Sequence, residues 1–229
     1  MSIKESVIIK LLGLQDYLTC WENMKQFTNQ RTENTIDEIW VLEHPPVFTQ
    51  GQNGRAEHLL NPETIPVIQT DRGGQVTYHG PGQLVVYILI DLNRKKLTIR
   101  TLVTQLENAI IQLLGQHQIL AFAKCKAPGV YVNEKKIASV GLRVRRGCSY
   151  HGLALNINMD LSPYTRINPC GYANLVMTQL ADLSTIASRE VTAIGLQLIN
   201  YLNNNLGYTQ PIIQNQMEPC YGTSESKTE

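Results

Sequence analysis

Residues 72–92 read RGGQVTYHGPGQLVVYILIDL, a glycine-rich stretch followed by a nearly uninterrupted apolar run. The run over residues 84–92 is rich in Val, Ile and Leu and lacks strict alternation, which predicts a strand buried on both faces. The glycines at positions 73, 74, 80 and 82 permit positive φ and close approach of a ligand to the backbone. The stretch therefore predicts a glycine loop leading into a buried central strand.

Strand and helix patterns surround this stretch. Short strands are predicted over five further segments, the last three as an antiparallel meander: 38–42, 66–70, 129–132, 136–144 and 153–159. Apolar residues recur at helical spacing over 11–27, 99–114 and 191–202. The patterns predict one α/β (α+β) domain over residues 1–215, with mixed sheets flanked by helices, and a flexible tail over residues 216–229.

Two connections are predicted to be loops. Pro45 and Pro46 lack backbone donors, so they end the strand over residues 38–42, and a long loop is expected after them. Residues 145–152, RRGCSYHG, are read as a loop between two strands of the meander. Residues 162–174 show no periodic pattern and are expected to be irregular.

Composition bounds the class of protein. The chain has 229 residues, of which 43% are hydrophobic and 17% charged, as in ordinary globular domains. Lys and Arg number 20 and Asp and Glu 19, so the net charge of +1 gives no global attraction to nucleic acid or to anionic membranes. The sequence shows no signal-peptide pattern and no apolar run of about 18 residues, which predicts a cytoplasmic protein.

The five cysteines are widely spaced and odd in number, which predicts reduced thiols. No pair has the spacing of a zinc site, so no metal is expected. Cys125 lies between two lysines, which would favour a thiolate, and Cys148 precedes His151 by three residues, so a Cys–His pair is conceivable. By residue type alone, Cys170 is either a catalytic thiol or a small residue in a tight turn.

The glycine loop has two interpretations. Arg72 supplies a cation, and Tyr78 and His79 offer ring surface and hydrogen bonding to a ligand, but the same glycines fit two tight turns without any ligand. The loop matches neither G-x-x-x-x-G-K-[ST] nor G-x-G-x-x-G. A nucleotide phosphate site is therefore not predicted.

Three segments together resemble a known family. Residues 72–92, residues 127–161 (APGVYVNEKKIASVGLRVRRGCSYHGLALNINMDL) and residues 167–172 (INPCGY) resemble the octanoyltransferases of lipoate biosynthesis, which share the catalytic fold of biotin and lipoate protein ligases. The resemblance implies transfer of an octanoyl group from octanoyl-acyl carrier protein to a protein lysine through a cysteine thioester. It implies Cys170 as the nucleophile and Lys136 as the lysine that lowers the pKa of its thiol.

The resemblance also implies the residues that border the acyl chain. They are Arg72, Gly73, Gly74, Gln75, Val76, Thr77, Tyr78, His79, Ser139, Val140, Gly141, Gly152, Leu153 and Ala154. His79 is the preferred histidine for polarising the thioester or orienting the thiolate, with His151 as the second candidate. By periodicity alone the two later groups are only core strands, and His44, His58 and His117 are expected to be surface or packing residues.

The expected partners follow from the resemblance and from local charge. The acyl donor is octanoyl-acyl carrier protein, and the acceptors are lipoyl domains of 2-oxoacid dehydrogenases and the glycine cleavage H protein. Acyl carrier proteins are acidic, so a basic strip is a candidate docking surface, although it is equally readable as a solvated face: Lys124, Lys126, Lys135, Lys136, Arg143, Arg145 and Arg146.

No cofactor is expected, neither ATP nor a metal. The phosphopantetheine belongs to the acyl donor. A monomer that binds neither nucleic acid nor membrane is expected. Two alternatives remain at this stage. An ATP-dependent lipoate or biotin ligase would adenylate a free acid and need no cysteine, and a non-catalytic acyl-binding protein would use the glycine loop for binding alone.

Overall fold

The computed structural model describes residues 3–183 and 190–216. Its strands are β1 (Ser6–Leu14), β2 (Asp37–Glu43), β3 (Val47–Gln50), β4 (Val67–Gln69), β5 (Val76–His79), β6 (Gln83–Leu89), β7 (Phe122–Lys124), β8 (Ala127–Val132), β9 (Lys135–Arg145), β10 (Cys148–Asn156) and β11 (Gln210–Asn215). Its helices are α1 (Tyr17–Gln30), α2 (Leu92–Lys95), α3 (Ile99–Gln116) and α4 (Val191–Leu206). None of the described helices has the length and apolarity that a membrane crossing needs.

The strands form two sheets flanked by helices, which confirms the predicted mixed α/β domain. The larger sheet has the order β11-β1-β2-β6-β10-β9-β8-β7, and the smaller one the order β4-β3-β5. β6, the predicted central strand, is buried along its whole length. Leu84, Val86 and Ile88 pack in the core formed with α3 and α4, whereas Val85 and Tyr87 pack in the core formed with α1. Burial of both faces explains the absence of polar alternation in its sequence.

The predicted meander is present as β8, β9 and β10, with antiparallel pairing. The predicted loop over residues 145–152 is wrong, because β10 already begins at Cys148. Arg146 and Gly147 adopt positive φ values of 52° and 79°, so two residues suffice to reverse the chain. Cys148 and His151 therefore lie on a strand.

The predicted helix over residues 11–27 is wrong at its start. Residues Ser6–Leu14 form β1, which pairs in parallel with β2 on one side and β11 on the other. The Asp16 carboxylate accepts a hydrogen bond from the Thr19 backbone N–H at 2.9 Å and caps α1, which begins only at Tyr17. Backbone pairing on both sides outweighs the helical spacing of the first apolar residues.

The predicted long loop after Pro46 is also wrong, because β3 starts at Val47. β3 pairs in parallel with β4 and antiparallel with β5, which itself lies inside the glycine-rich stretch. Phe48 is fully buried and its ring lies 5.5 Å from that of Tyr78. The prolines end β2 but let the chain enter a second sheet.

The segment that follows β10 is irregular, as predicted, with short 3-10 turns at Ser162–Arg166 and Pro169–Gly171. Its later part pairs with the start of β9. The Lys136 N–H donates to the Val176 carbonyl, and the Thr178 N–H donates to the Lys136 carbonyl, both at 2.9 Å. The fold thus brings residues 167–178 beside Lys136.

The C-terminal part contains one predicted and one missed element. The predicted last helix is α4, which ends at Gly207 in a left-handed conformation with φ of 68°. β11 was not predicted, and it extends the large sheet beyond β1. The Gln216 N–H donates to the Leu11 carbonyl at 2.9 Å. The rest of the predicted tail, residues 217–229, lies outside the described ranges.

Candidate active site

Cys170 and Lys136, which are 34 positions apart in sequence, are in direct contact. The Lys136 Nζ donates a hydrogen bond to the Cys170 Sγ at 3.0 Å. Cys170 lies in the 3-10 turn at Pro169–Gly171 with a left-handed φ of 57°, an uncommon conformation for a residue other than glycine. The turn is anchored by the Asn168 N–H, which donates to the His58 carbonyl at 2.8 Å. The structure therefore places the two predicted reactive groups together. The Cys170 side chain is half-buried.

The amine of Lys136 is enclosed by β8. The side chain is only 1% exposed, and Nζ also donates to the Pro128 carbonyl at 2.9 Å. Gly129 has a φ of 134°, and a Cβ on it would lie 2.6 Å from the Lys136 Cε. The Tyr131 ring lies 5.5 Å from Nζ. Only a glycine at position 129 leaves room for this path of the lysine side chain.

The electrostatic setting of Lys136 combines two opposed effects. Burial lowers the pKa of the amine, whereas the charges and hydrogen bonds of Cys170 and Tyr131 raise it, and the net direction is upward. Glu107 of α3 lies nearby, and its carboxylate accepts the Gly129 N–H at 2.8 Å. Burial raises the pKa of Glu107 more than this hydrogen bond and Lys136 lower it. The net effect favours the protonated, ammonium form of Lys136.

A cavity of about 330 Å³, here called the central cavity, opens beside the thiol. Its lining includes the two reactive residues and most of the positions that the resemblance implied: Arg72, Gly73, Gly74, Gln75, Thr77, His79, Ser139, Val140, Gly141, Gly152, Leu153 and Ala154. Val76 and Tyr78 do not line it. They alternate with Thr77 and His79 along β5 and pack in the core of the small sheet, so their side chains lie away from the central cavity.

Arg72 holds the glycine loop in shape. Its guanidinium is buried and donates to the carbonyls of Thr49 at 2.6 Å, Gly73 at 2.9 Å and Gln75 at 2.8 Å. It also donates to the Thr49 hydroxyl at 2.9 Å. Burial lowers the pKa of Arg72 from its usual value. Its hydrogen bonds all join it to carbonyl and hydroxyl groups of the protein. In this structure it therefore holds the glycine loop that lines the cavity.

His79 lines the central cavity, but both of its ring nitrogens already have protein partners. Nδ1 lies 2.7 Å from the Gln83 Oε1, and Nε2 lies 3.3 Å from the Thr49 Oγ1. Burial, with His44 next in magnitude, lowers the pKa of His79 to about 3, so the ring is neutral near pH 7. The structure therefore shows no ring nitrogen of His79 available to a thioester.

Two polar residues that do not line the central cavity contact residues that do. His44, expected at the surface or in simple packing, is fully buried, with Nε2 at 2.6 Å from the Tyr87 hydroxyl. Asp71, which no motif singled out, accepts hydrogen bonds from Trp21 at 2.8 Å, from the Tyr150 hydroxyl and from the Nε2 of His151 at 2.9 Å. Asp71 directly precedes the glycine loop, but its partners come from α1 and β10, so only the fold reveals the cluster.

His151 is the part of this cluster that reaches the central cavity. Its φ is 59°, it is 1% exposed, and its Nδ1 is buried with no hydrogen-bond partner among the described residues. Burial lowers the pKa of His151, and Asp71 offsets this only in part. Burial acts to raise the pKa of Asp71, but the hydrogen bonds from His151, Tyr150 and Trp21 lower it well below its usual value. The pair is a neutral imidazole held by a carboxylate.

The rival cysteines have no comparable setting. Cys125 is exposed in the turn before β8, and Cys148 is buried, with its Sγ 3.8 Å from the Arg146 carbonyl. Burial raises the pKa of Cys148. Over residues 3–183 and 190–216, no group of three or more His, Cys, Asp or Glu side chains is arranged to hold a metal ion.

The predicted basic strip is divided by the fold. Lys136 belongs to the buried site, and Lys124 is paired with Glu134 at 2.6 Å. Arg143 donates to the Gln52 side chain at 2.7 Å. Lys126 is exposed and lines the central cavity together with Tyr172, which is 48% exposed. Lys126 is therefore the exposed residue of the basic strip that lines the central cavity.

Comparison with known proteins shows which family this chain resembles. Residues 16–197 match the model of the lipoyl protein ligase A/B catalytic domain. The chain is 55% identical over 208 residues to an octanoyltransferase of Shewanella woodyi, covering 91% of this chain and 94% of the relative. It is 59% identical over 202 residues to an octanoyltransferase of Psychromonas ingrahamii, covering 88% and 92%. Its fold matches a putative lipoate protein ligase, Ta0514 of T. acidophilum, with a TM-score of 0.71, 14% identity and coverage of 93% and 89%.

Proposed function

Because this chain belongs to the lipoyl protein ligase A/B catalytic-domain family and is an octanoyltransferase of lipoate biosynthesis, we propose that it transfers the octanoyl group through a thioester on Cys170. The observation that carries the proposal is the 3.0 Å contact between the Lys136 Nζ and the Cys170 Sγ at the edge of the central cavity. A neighbouring ammonium stabilises the anionic form of a thiol, and the thiolate is the nucleophilic form. The central cavity, which is lined in part by apolar residues of its strands, has space to receive the acyl chain.

In the first step, the Cys170 thiolate attacks the carbonyl carbon of the thioester on the acyl donor. A carbon–sulfur bond to Cys170 forms, and the carbon–sulfur bond to the donor's phosphopantetheine breaks. The departing thiolate takes a proton from the Lys136 ammonium, which contacts the reacting sulfur in the resting state. One thioester replaces another of similar energy, so the step needs no separate energy source.

In the second step, the neutral amine of the acceptor lysine attacks the acyl carbon on Cys170. A carbon–nitrogen bond forms, the carbon–sulfur bond breaks, and the proton lost by the nitrogen passes to the Lys136 amine. The ammonium–thiolate pair is thereby restored. The product is an amide, which is more stable than the thioester and makes transfer to the acceptor favourable.

The burial of Lys136 fits these two roles in sequence. Burial is the largest single effect on the pKa of Lys136, but the charges and hydrogen bonds of Cys170 and Tyr131 together outweigh it and favour the protonated amine. Acylation removes the charge of Cys170, and burial then lowers the pKa of the amine with less opposition. The same residue can therefore act as an acid before acylation and as a base after it.

Intact-mass measurement tests the intermediate. Incubation of the purified protein with octanoyl-acyl carrier protein, without an acceptor, should add one octanoyl group to the chain. The adduct should be absent in Cys170→Ala and retained in Cys125→Ala and Cys148→Ala. A full adduct on Cys170→Ala would reject Cys170 as the nucleophile, and no adduct on the unaltered protein would reject the covalent mechanism.

We propose that the acyl donor is octanoyl-acyl carrier protein and that it docks at the opening marked by Lys126 and Tyr172. Acyl carrier proteins are acidic, and an exposed cation beside the opening can attract such a partner. Lys126→Glu should slow acylation of Cys170 by acyl carrier protein at low salt more than Arg146→Glu, which lies at the β9–β10 turn. Equal rates for the two variants would place the docking surface elsewhere.

The acceptors proposed are lysines of lipoyl domains, in 2-oxoacid dehydrogenases and in the glycine cleavage H protein. We further propose that neither ATP nor a metal takes part, which distinguishes this reaction from that of an ATP-dependent ligase. Octanoylation of a lipoyl domain by octanoyl-acyl carrier protein should proceed at full rate without ATP and with a chelator present. A requirement for ATP with free octanoate would favour the ligase reaction.

A further inference from the structure

The central cavity follows two strands for a measurable distance. Four consecutive residues of β9 line it, and each is paired with a residue of β10 that also lines it: Ser139 with Ala154, Val140 with Leu153, Gly141 with Gly152 and Leu142 with His151. Neighbouring residues of a strand are about 3.3 Å apart. The level of Ser139 and the level of His151 are therefore separated by about 10 Å along the strands.

The part of the central cavity that runs along these paired residues of β9 and β10 is here called the acyl corridor. The reactive groups lie at its Ser139 end. Gly129 is paired with Ser139, and a Cβ on Gly129 would lie 3.1 Å from the Lys136 Nζ. The Cys170 Sγ is 3.0 Å from the same Nζ. An acyl group on Cys170 therefore starts near Ser139, and His151 lies at the other end.

The length of the corridor matches one chain length. An extended covalent chain advances about 1.2 Å per bond, so the seven carbon–carbon bonds of an octanoyl group span about 8 Å. Adding the bond to sulfur brings the total to about 10 Å, which matches the separation along the strands between the level of Ser139 and the level of His151. A decanoyl group would need two more bonds and would meet the imidazole ring.

The ring is firmly held where the chain would meet it. Asp71 fixes the Nε2 of His151, and Asp71 is itself fixed by Trp21 of α1 and by Tyr150 of β10. Moving the ring would break its hydrogen bond to the Asp71 carboxylate, and hydrogen bonds to charged groups are among the stronger ones. His151 lines the central cavity, and its buried Nδ1 has no hydrogen-bond partner among the described residues.

We propose that His151, positioned by Asp71, is the end wall of the acyl corridor and sets its preference for eight carbons. The proposal rests on the proposed function for the place of the thioester carbonyl, but it can be tested without any reaction at Cys170. Free fatty acids do not acylate a thiol, so their binding reports on the corridor alone. A negative mass measurement would therefore reject the thioester intermediate, whereas a negative binding measurement would reject the role of His151 as the end wall.

The test is isothermal titration of hexanoic, octanoic and decanoic acids into the full-length protein and two variants. His151→Ala removes the wall and should raise the affinity for decanoic relative to octanoic acid by about tenfold or more, as expected when a pocket gains room for methylenes. Gly141→Ala should shorten the space for the chain. It should therefore lower the affinity for the longer acid of each pair, decanoic relative to octanoic and octanoic relative to hexanoic. A Cβ at position 141 would lie 3.3 Å from the Gly73 carbonyl oxygen and 3.5 Å from the Arg72 Cδ, which fills the corridor before its end.

His117→Ala is the matched control. His117 lies at the end of α3, where its ring contacts the Gln197 side chain at 3.1 Å, and it does not line the central cavity. The proposal is overturned if His151→Ala keeps the unaltered ratio of decanoic to octanoic affinity. Should that variant not fold, an unchanged ratio of octanoic to hexanoic affinity in Gly141→Ala overturns it, because the chain would then not pass Gly141.

Discussion

The two ends of the central cavity are each built around one charged side chain, and they differ in what satisfies the charge. At one end the Lys136 ammonium contacts the Pro128 carbonyl and a thiol sulfur. At the other end the Asp71 carboxylate accepts hydrogen bonds from Trp21, Tyr150 and His151. The first charge has a partner that can change its bonding, whereas the second is held by side chains anchored in α1 and β10.

This difference shows how similar chemical groups acquire different roles. The pKa of a buried amine next to a nucleophile changes when the nucleophile is acylated, so the amine can exchange protons during a reaction. A charge surrounded by hydrogen-bond donors keeps its state and fixes the geometry of its neighbours. The comparison predicts that changes at the thiol end affect turnover, and that changes at the Asp71 end affect stability and shape.

The largest effect is expected from removing the amine. Lys136→Met keeps the length of the side chain but cannot transfer a proton, and octanoyl transfer should fall by about 10²–10⁴-fold, the usual contribution of a general acid or base. The measurement is the single-turnover rate of lipoyl-domain octanoylation over a range of pH. Lys135→Met is the control, because Lys135 is the exposed neighbour on the same strand. Equal rates for the two variants would remove the distinction between the two ends.

A smaller effect is expected from displacing the amine without removing it. A Cβ on Gly129 would lie 2.3 Å from the Ala138 carbonyl oxygen and 2.6 Å from the Lys136 Cε, at a φ of 134° that strains any other residue. Gly129→Ala should lower the rate by about 10²-fold, since small displacements of a catalytic group cost this much. Its free energy of unfolding should fall by about 1–3 kcal/mol.

Gly115→Ala provides the contrast, because no atom lies within 4 Å of a Cβ built at this position of α3. That variant should be unchanged in rate and up to about 1 kcal/mol more stable, from the better helix propensity of alanine. A Gly129→Ala protein with unaltered kinetics would show that the position of the amine tolerates a shift.

The sequence signals for the thiol end are local. The family motifs name Cys170 and Lys136, and the apolar run of β6 and the meander of β8 to β10 follow from strand patterns of single segments. The fold adds the contact between the two residues, which depends on the pairing of Lys136 with Val176. No pattern within either segment encodes that pairing.

The Asp71 end could not be predicted because its partners come from distant segments. Trp21 is 50 positions away from Asp71 and His151 is 80, and nothing in either segment indicates the contact with Asp71. The errors at β1 and β3 have a similar origin. Their residues are held by pairing with β11 and β5, which lie far along the chain, and this tertiary pairing overrides the local pattern.

The smallest effect is expected at the Asp71 end and should appear in stability rather than in chemistry. The pKa of Asp71 is lowered in the folded protein, so its carboxylate stabilises the fold above its unfolded pKa near about 4, and this contribution is lost as the pH falls further. Asp71→Asn should cost about 1–2 kcal/mol near pH 7 through weaker hydrogen bonds. The difference from the unaltered protein should shrink as the pH drops below about 4, because Asp71 of the unfolded chain takes up a proton there, whereas the folded carboxyl, with its lowered pKa, is still ionised. Urea unfolding at pH 7 and pH 3 measures both values, and a difference that stays constant with pH would mean that the charge of Asp71 does not hold this end of the cavity.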